Sequence, residues 1–268
     1  MSAVVIDGGI VHYEAFGRGW PIVFLHGWLG SWRYWMSSME SISDRHRTYA
    51  LDLWGFGDSD KSDARCNLSD YLGLIDAFIE SMGIGQVPII GHSLGAMIAL
   101  EYAVRNPERI SKIMAVSLPA QGEESIKRNN LINYTNSGSM MSKMLRGRQI
   151  THSEVADEAQ KTGKDAINLS LQSVVQMDIL NRIQWMGQSN EAMMLVVYGE
   201  KDDIIDPSHS KNLDGQWENI RAIPLADSRH FPMLEEPAKF TRLLRDFLSI
   251  EGDLKSLELK EEWRRRTR

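Results

Sequence analysis

One serine in this chain stands in a setting suited to chemistry. Residues 88 to 96 read PIIGHSLGA, with Ser93 two positions after Gly91 and two before Gly95. A serine hydroxyl is a weak nucleophile at neutral pH and needs an imidazole to take its proton, with a carboxylate to orient that imidazole. If the strand-like VPII turns sharply into the helix-like LGAMIALEYA, the turn residue occupies a strained conformation with its neighbours pressed close. Glycines at 91 and 95 remove the β-carbons that would collide. The turn then lifts the Ser93 hydroxyl above the strand end and leaves the Leu94 amide at a helix N-terminus, where N–H groups favour developing negative charge.

The imidazole must come from one of seven histidines. His92 adjoins the serine and is expected to point away from it. His12 falls in an edge hairpin, His46 in a polar loop, and His152 in a segment without strands. His209, in DPSHSK, reads as a surface residue at a helix start. His230, in SRHFPMLEEP, follows the last strand-like run, NIRAIPL, and precedes a proline and a new helix; it is the expected base. The carboxylate is expected at the end of the preceding strand, where MMLVVYGEKDDIIDP offers Asp202, Asp203 and Asp206. Residue type alone leaves all three open. The order along the chain is serine, aspartate, histidine.

These residues must be positioned by alternating strands and helices. VVIDG and IVHYEAFG flank a Gly-Gly turn and read as an opening antiparallel hairpin. PIVFLHG, RTYALDL, VPIIGHS, ISKIMAVSLP, MMLVVYGE and NIRAIPL are short apolar or β-branched runs, as expected for strands covered on both faces. Helical patterns lie between them in SWRYWMSSMESIS, LSDYLGLIDAFIESMG and LGAMIALEYAVRNP. The alternation predicts an α/β fold with a mostly parallel eight-stranded sheet. It is interrupted once. From about Pro119 to Gly187 no strand pattern occurs, whereas DAINLSLQSVVQMDIL has helical spacing. Residues 119–187 are therefore expected to form an inserted helical cap on a core made of 1–118 and 188–268.

The 268 residues suffice for one large domain with an insertion. With 43% hydrophobic and 25% charged residues and a formal net charge of -6, the chain is a poor partner for nucleic acid or anionic membranes. No apolar run approaches the roughly 18 residues of a membrane span, and the opening residues lack a secretory pattern, so the expected location is cytoplasmic. Cys66 is the single cysteine and is assigned no role. No metal-ligand cluster, phosphate-binding glycine loop or dinucleotide fingerprint occurs, so neither a metal nor a cofactor is expected. The tail IEGDLKSLELKEEWRRRTR reads as a solvated helix end.

Five blocks together resemble the α/β-hydrolase-fold superfamily along nearly the whole chain: HGW at 26 to 28, DLWGFGDSD at 52 to 60, GHSLG at 91 to 95, GEKDD at 199 to 203 and RHF at 229 to 231. The resemblance implies an α/β-hydrolase fold with helices on both faces of the sheet. It selects Asp202, through a Gly-x-x-Asp pattern, as partner of His230, and it adds the Trp28 amide to that of Leu94 as an oxyanion hole. A departure is Ala96, where many relatives carry a further glycine. Serine at the elbow separates the chain from relatives that open epoxides or displace halide with an aspartate.

The implied activity is that of a carboxylesterase-like serine hydrolase working on a small-molecule ester through an acyl-enzyme. Trp28 and Trp54 are expected near the site and favour short to medium acyl chains, although Trp54, like Trp32 and Trp35, also suits core packing. Met140, Met141 and Met144 in the cap are candidates to line an apolar pocket. Two alternatives stand beside this. One is the same triad used for carbon–carbon, lactone or thioester cleavage or a lyase reaction. The other is a non-catalytic binding member, which a complete triad opposes. The expected assembly is a monomer or small homo-oligomer.

Overall fold

The computed structural model describes residues 2–61, 65–120, 157–163, 165–189 and 192–257. Its eight strands form one sheet in the order β1-β2-β4-β3-β5-β6-β7-β8. They are β1 (Ser2–Ile6), β2 (Gly9–Phe16), β3 (Trp20–Leu25), β4 (His46–Leu51), β5 (Val87–His92), β6 (Ile110–Val116), β7 (Met193–Gly199) and β8 (Ile220–Leu225). β2 pairs antiparallel with β1 and β4; the remaining pairs are parallel. This is the architecture expected from the alternation of strand and helix patterns.

Two details differ from the sequence reading. The hairpin turns on Asp7 and Gly8, with φ of 49° and 77°, rather than on two glycines, and Gly9 already pairs with Ile6. Asp-Gly suits a two-residue turn that needs positive φ at both positions. His46 is not in a loop. It opens β4 opposite Trp20, because the strand's pairing extends two residues beyond its apolar run.

The central strands are apolar on both sides because both sides are covered. Val23, Leu25, Ile89, Ala115 and Val196 face one core, with α2 (Leu68–Ser81) and α3 (Leu94–Arg105). Their neighbours Ile22, Phe24, Ile90, Met114 and Val197 face the other. There they meet α1 (Met36–Ile42) and, through Phe240, Leu243, Leu244 and Phe247, a C-terminal helix (Pro237–Ser249). Helix α2 starts where a capping box forms: Asn67 accepts from the Asp70 amide, and Asp70 accepts from the Asn67 amide.

Between β6 and β7 the described residues include the α-helices α4 (Ala166–Val175) and α5 (Ile179–Ser189). The buried Glu101 of α3 fastens α5 to the core, accepting from Arg182 Nε at 2.6 Å and from Arg105 Nε at 2.7 Å. After β7 come α6 (Pro207–Lys211), α7 (Pro232–Glu235) and α8, the Pro237–Ser249 helix.

From β3 the chain moves outward to β4, then crosses back to β5 on the other side. The carboxyl ends of β3 and β5 thus flank a switch point, where open α/β sheets leave a crevice for ligands. Close approach there depends on Gly95. A β-carbon at that position would lie 2.3 Å from the carbonyl oxygen of Leu25 and 2.7 Å from that of His26. Gly95→Ala is expected to lower stability by about 2–4 kcal/mol, read from the urea midpoint; an unchanged midpoint would show that β3 and α3 are not in such contact.

Candidate active site

Ser93 sits between the last residue of β5 and the first of α3, at φ 50° and ψ -109°, a conformation sparsely populated by residues with a β-carbon. It is held there from several sides. Its amide donates to the Val116 carbonyl at 2.8 Å. A β-carbon on Gly91 would lie 2.3 Å from the Gly95 carbonyl oxygen, and one on Gly27 only 3.0 Å from the Ser93 β-carbon. The glycine spacing in GHSLG is thus a steric requirement of the turn. Leu94 begins the helix, so its amide belongs to the first turn, whose N–H groups have no intrahelical acceptor.

The loop after β3 presses on this turn and is braced by a histidine whose function the sequence reading did not assign. His26 is fully buried; its Nδ1–H donates to the Gly27 carbonyl at 2.7 Å, and its Nε2 accepts from the Leu53 amide at 3.0 Å. Burial lowers its pKa, against the nearby Asp52 charge and the Gly27 carbonyl, and a neutral ring with one donor and one acceptor is what these two bonds require. The indole N–H of Trp28 donates to Ser170 Oγ in α4 at 2.9 Å. Trp28 therefore joins the loop beside Ser93 to the segment between β6 and β7.

His230 and Asp202 come together as the sequence reading expects. His230 Nδ1 donates to Asp202 Oδ2 at 2.9 Å, and both side chains are buried. Asp202 Oδ1 accepts from the amides of Ile204 and Ile205 at 2.8 and 3.0 Å. The other two aspartates are used differently. Asp203 is exposed, and Asp206 caps α6 by accepting from the Ser208 amide. His230 Nε2 is buried and makes no hydrogen bond among the described residues, so the bond to Ser93 Oγ is not formed in this arrangement. Such bonds are often long or misaligned without substrate.

His92, expected to point away from Ser93, lies against the His230 loop. Its ring meets that of His230 edge-on, with centroids 4.9 Å apart, because the residue before the turn sends its side chain beneath the His230 loop. Trp54 is buried with its ring against Gly9 of the hairpin and the Arg65 guanidinium 5.3 Å away, so its contacts are those of packing. Trp35 is likewise core, beside Phe24. Met140, Met141, Met144 and His152 lie outside the described residues.

A second polar group braces the loop after β4. Asp52 is fully buried and accepts from the amides of Trp32 and Asp58 and from His12 Nδ1, at 2.8, 2.9 and 2.8 Å. His12, Asp52 and Asp58 are close enough to suggest cation ligands. The N–H donors already engage both Asp52 oxygens, which marks the group as structural. Burial opposes charge on His12, but the hydrogen bond to Asp52 and its charge outweigh burial and raise the His12 pKa above 6.5.

The model of the α/β hydrolase fold matches residues 21–141. The chain is 24% identical to a pimeloyl-[acyl-carrier protein] methyl ester esterase of Vibrio campbellii over 88% of its own length and 98% of that protein. It is also 24% identical to a 2-hydroxymuconate semialdehyde hydrolase of a Pseudomonas species, over 91% and 93% of the two chains. A 30% identity to a soluble epoxide hydrolase of a Corynebacterium species covers 42% of this chain and only 40% of that relative. Among solved structures, an enol-lactonase from Burkholderia xenovorans superposes with a TM-score of 0.79 at 17% identity, covering 93% and 100% of the two chains. The chain has the α/β-hydrolase fold, and it resembles hydrolases of that fold along most of its length.

A raised His12 pKa has a definite sign for stability. The charged His12 stabilises the fold fully below about pH 6.5, and that contribution is lost as pH rises through the folded-state pKa. His12→Asn keeps a donor but not the charge. The stability gap between wild type and this variant is expected to be wider at about pH 5.5 than at about pH 9 in urea unfolding; a gap independent of pH would contradict the charged pair.

Proposed function

We propose that the chain is a serine hydrolase that cleaves carboxylic esters of short to medium acyl chain, with Ser93 as nucleophile, His230 as base and Asp202 as its orienting acid. The observation that carries this reading is the buried 2.9 Å bond from His230 to Asp202, in the loop beside the strained serine. In the proposed reaction His230 Nε2 takes the Ser93 proton while Oγ attacks the ester carbonyl. The amides of Trp28 and Leu94 donate to the resulting oxyanion. Collapse expels the alcohol, which receives the proton from His230. Water, deprotonated by the same imidazole, then attacks the acyl-enzyme and releases the acid, and Ser93 regains its proton. The chemistry proposed needs no metal or cofactor.

Residues 119–187 serve in this reading as a cap over the strand ends. The bonds from Trp28 to Ser170 and from the Leu68 amide, at the start of α2, to Ser173 support it, since both run from the core to α4. Trp28 keeps a bulky ring beside the oxyanion loop, which favours small acyl groups, and Met140, Met141 and Met144 are proposed to complete an apolar wall. Trp54, whose contacts among the described residues are those of packing, is not assigned to the acyl pocket in this reading.

A second reading keeps the same three residues but directs them at a carbon–carbon bond or a lactone. Full-length likeness to a 2-hydroxymuconate semialdehyde hydrolase and a common fold with an enol-lactonase favour it. A panel of p-nitrophenyl esters from acetate to palmitate, with Ser93→Ala as control, tests the first. Activity is expected to fall steeply beyond octanoate and to drop by at least about 10³-fold in Ser93→Ala. A flat or rising profile contradicts the short-chain pocket. Ester turnover surviving in Ser93→Ala contradicts the nucleophile.

A further inference from the structure

The main-chain carbonyl of His230 is a point of convergence. His92 Nε2 lies 2.8 Å from its oxygen and Ser117 Oγ lies 3.1 Å from it. A carbonyl has no proton to give, so both groups donate, and His92 carries a proton on Nε2. The donors stand at the carboxyl ends of adjacent strands: His92 ends β5 next to Ser93, and Ser117 follows β6 at φ 49°. The Ser117 amide donates in turn to the Val197 carbonyl of β7 at 2.8 Å. All three side chains are buried, and Phe231 closes the group with its ring 5.1 Å from that of His92.

Other bonds of this loop come from the short helix that follows it and from the loop after β7, where the Lys201 amide donates to the Ser228 carbonyl at 3.0 Å. The Arg229 and Phe231 amides donate to Glu235 of α7, a four-residue helix in the same connection. Asp202 holds one ring atom of His230 and so limits its rotation. It does not by itself fix where the ring stands relative to Ser93. The bonds from His92 and Ser117 supply that reference, because they tie the His230 main chain to the strand ends that carry the serine.

We infer that His92 and Ser117 are positioning residues that hold His230 Nε2 toward Ser93 by clamping the His230 carbonyl. The inference rests on the reading of Ser93, His230 and Asp202 as a triad. It assigns the histidine of GHSLG a task distinct from shaping the turn: a donor aimed at the backbone of the base.

The test measures inactivation by a fluorophosphonate, which needs no knowledge of the substrate. Ser93 Oγ attacks phosphorus, fluoride leaves, and the serine proton passes to His230. For His92→Leu the maximal inactivation rate is expected to fall roughly 10- to 100-fold with the inhibitor's half-saturation within about twofold of wild type, as misplacement of a base by about 1 Å costs. His92→Gln, whose side-chain amide can reach the place of Nε2, is expected to restore most of the rate, and Ser117→Ala to lose several-fold. In a His230→Ala background, His92→Leu is expected to lower the residual rate no further. Thermal unfolding of each variant identifies any that fails to fold, and His92→Gln and Ser117→Ala then carry the test.

An equal loss with and without His230, or His92→Gln as slow as His92→Leu, overturns the inference and leaves the triad standing. Labelling of the wild type at a site other than Ser93, or at an undiminished rate in His230→Ala, overturns the triad reading and this inference with it.

Discussion

The structure depends on a single backbone constraint: the chain must leave a parallel strand and enter a helix within one residue, at Ser93. A residue held at φ 50° and ψ -109° costs on the order of 1–3 kcal/mol, and it persists only where the surroundings over-determine it. Here they do. Gly91 and Gly95 let the two arms of the turn touch, Gly27 admits the neighbouring loop, and Val116 takes the serine amide. The sheet order then gathers the ends of β3 and β5 at this same point, so the bend and the topological switch point coincide. The proposed chemistry needs both together, a hydroxyl in a fixed direction and amides beside it.

Around this bend, three buried carboxylates are each answered by several partners rather than one. Asp202 receives two amides and an imidazole, Asp52 two amides and an imidazole, and Glu101 two guanidinium groups. A buried carboxylate with a single weak partner is expensive, whereas one that accepts several hydrogen bonds fixes the loops that donate them. Each of the three locks a different connection: the loop after β7, the loop after β4, and the helix α5 to α3. The switch point is therefore framed by loops whose positions are set by hydrogen bonds.

Much of this was legible in the residues. Strands covered on both faces write short apolar runs, so all eight were apparent, and glycine at i-2 and i+2 of a serine has few explanations besides a crowded turn. His230 could be found because a loop after the last strand is a place and not merely a residue type. What could not be read depends on contacts between residues far apart in the chain. Nothing in GHSLG reveals that His92 donates to a carbonyl 138 residues later, nor that Ser117 shares that acceptor. Asp202 and Asp203 are alike as residue types; the turn that gives Asp202 the amides of Ile204 and Ile205 separates them, leaving Asp203 exposed. The Asp7-Gly8 turn and the start of β4 were misjudged by one or two residues, since pairing can continue past the apolar run that announces a strand. The methionines proposed for the cap fall outside the described residues, so their contribution rests on sequence alone.

The account is most directly tested by following the first turnover. Rapid mixing with p-nitrophenyl acetate should give a burst of about one p-nitrophenolate per chain when deacylation is the slower step, and mass spectrometry of the quenched protein should find the acetyl group on Ser93. In Asp202→Asn the acetyl group should form far more slowly and on the same serine. An acetyl group on another residue, or formation on Ser93 at an unchanged rate in Asp202→Asn, would contradict a serine made reactive by the His230–Asp202 pair.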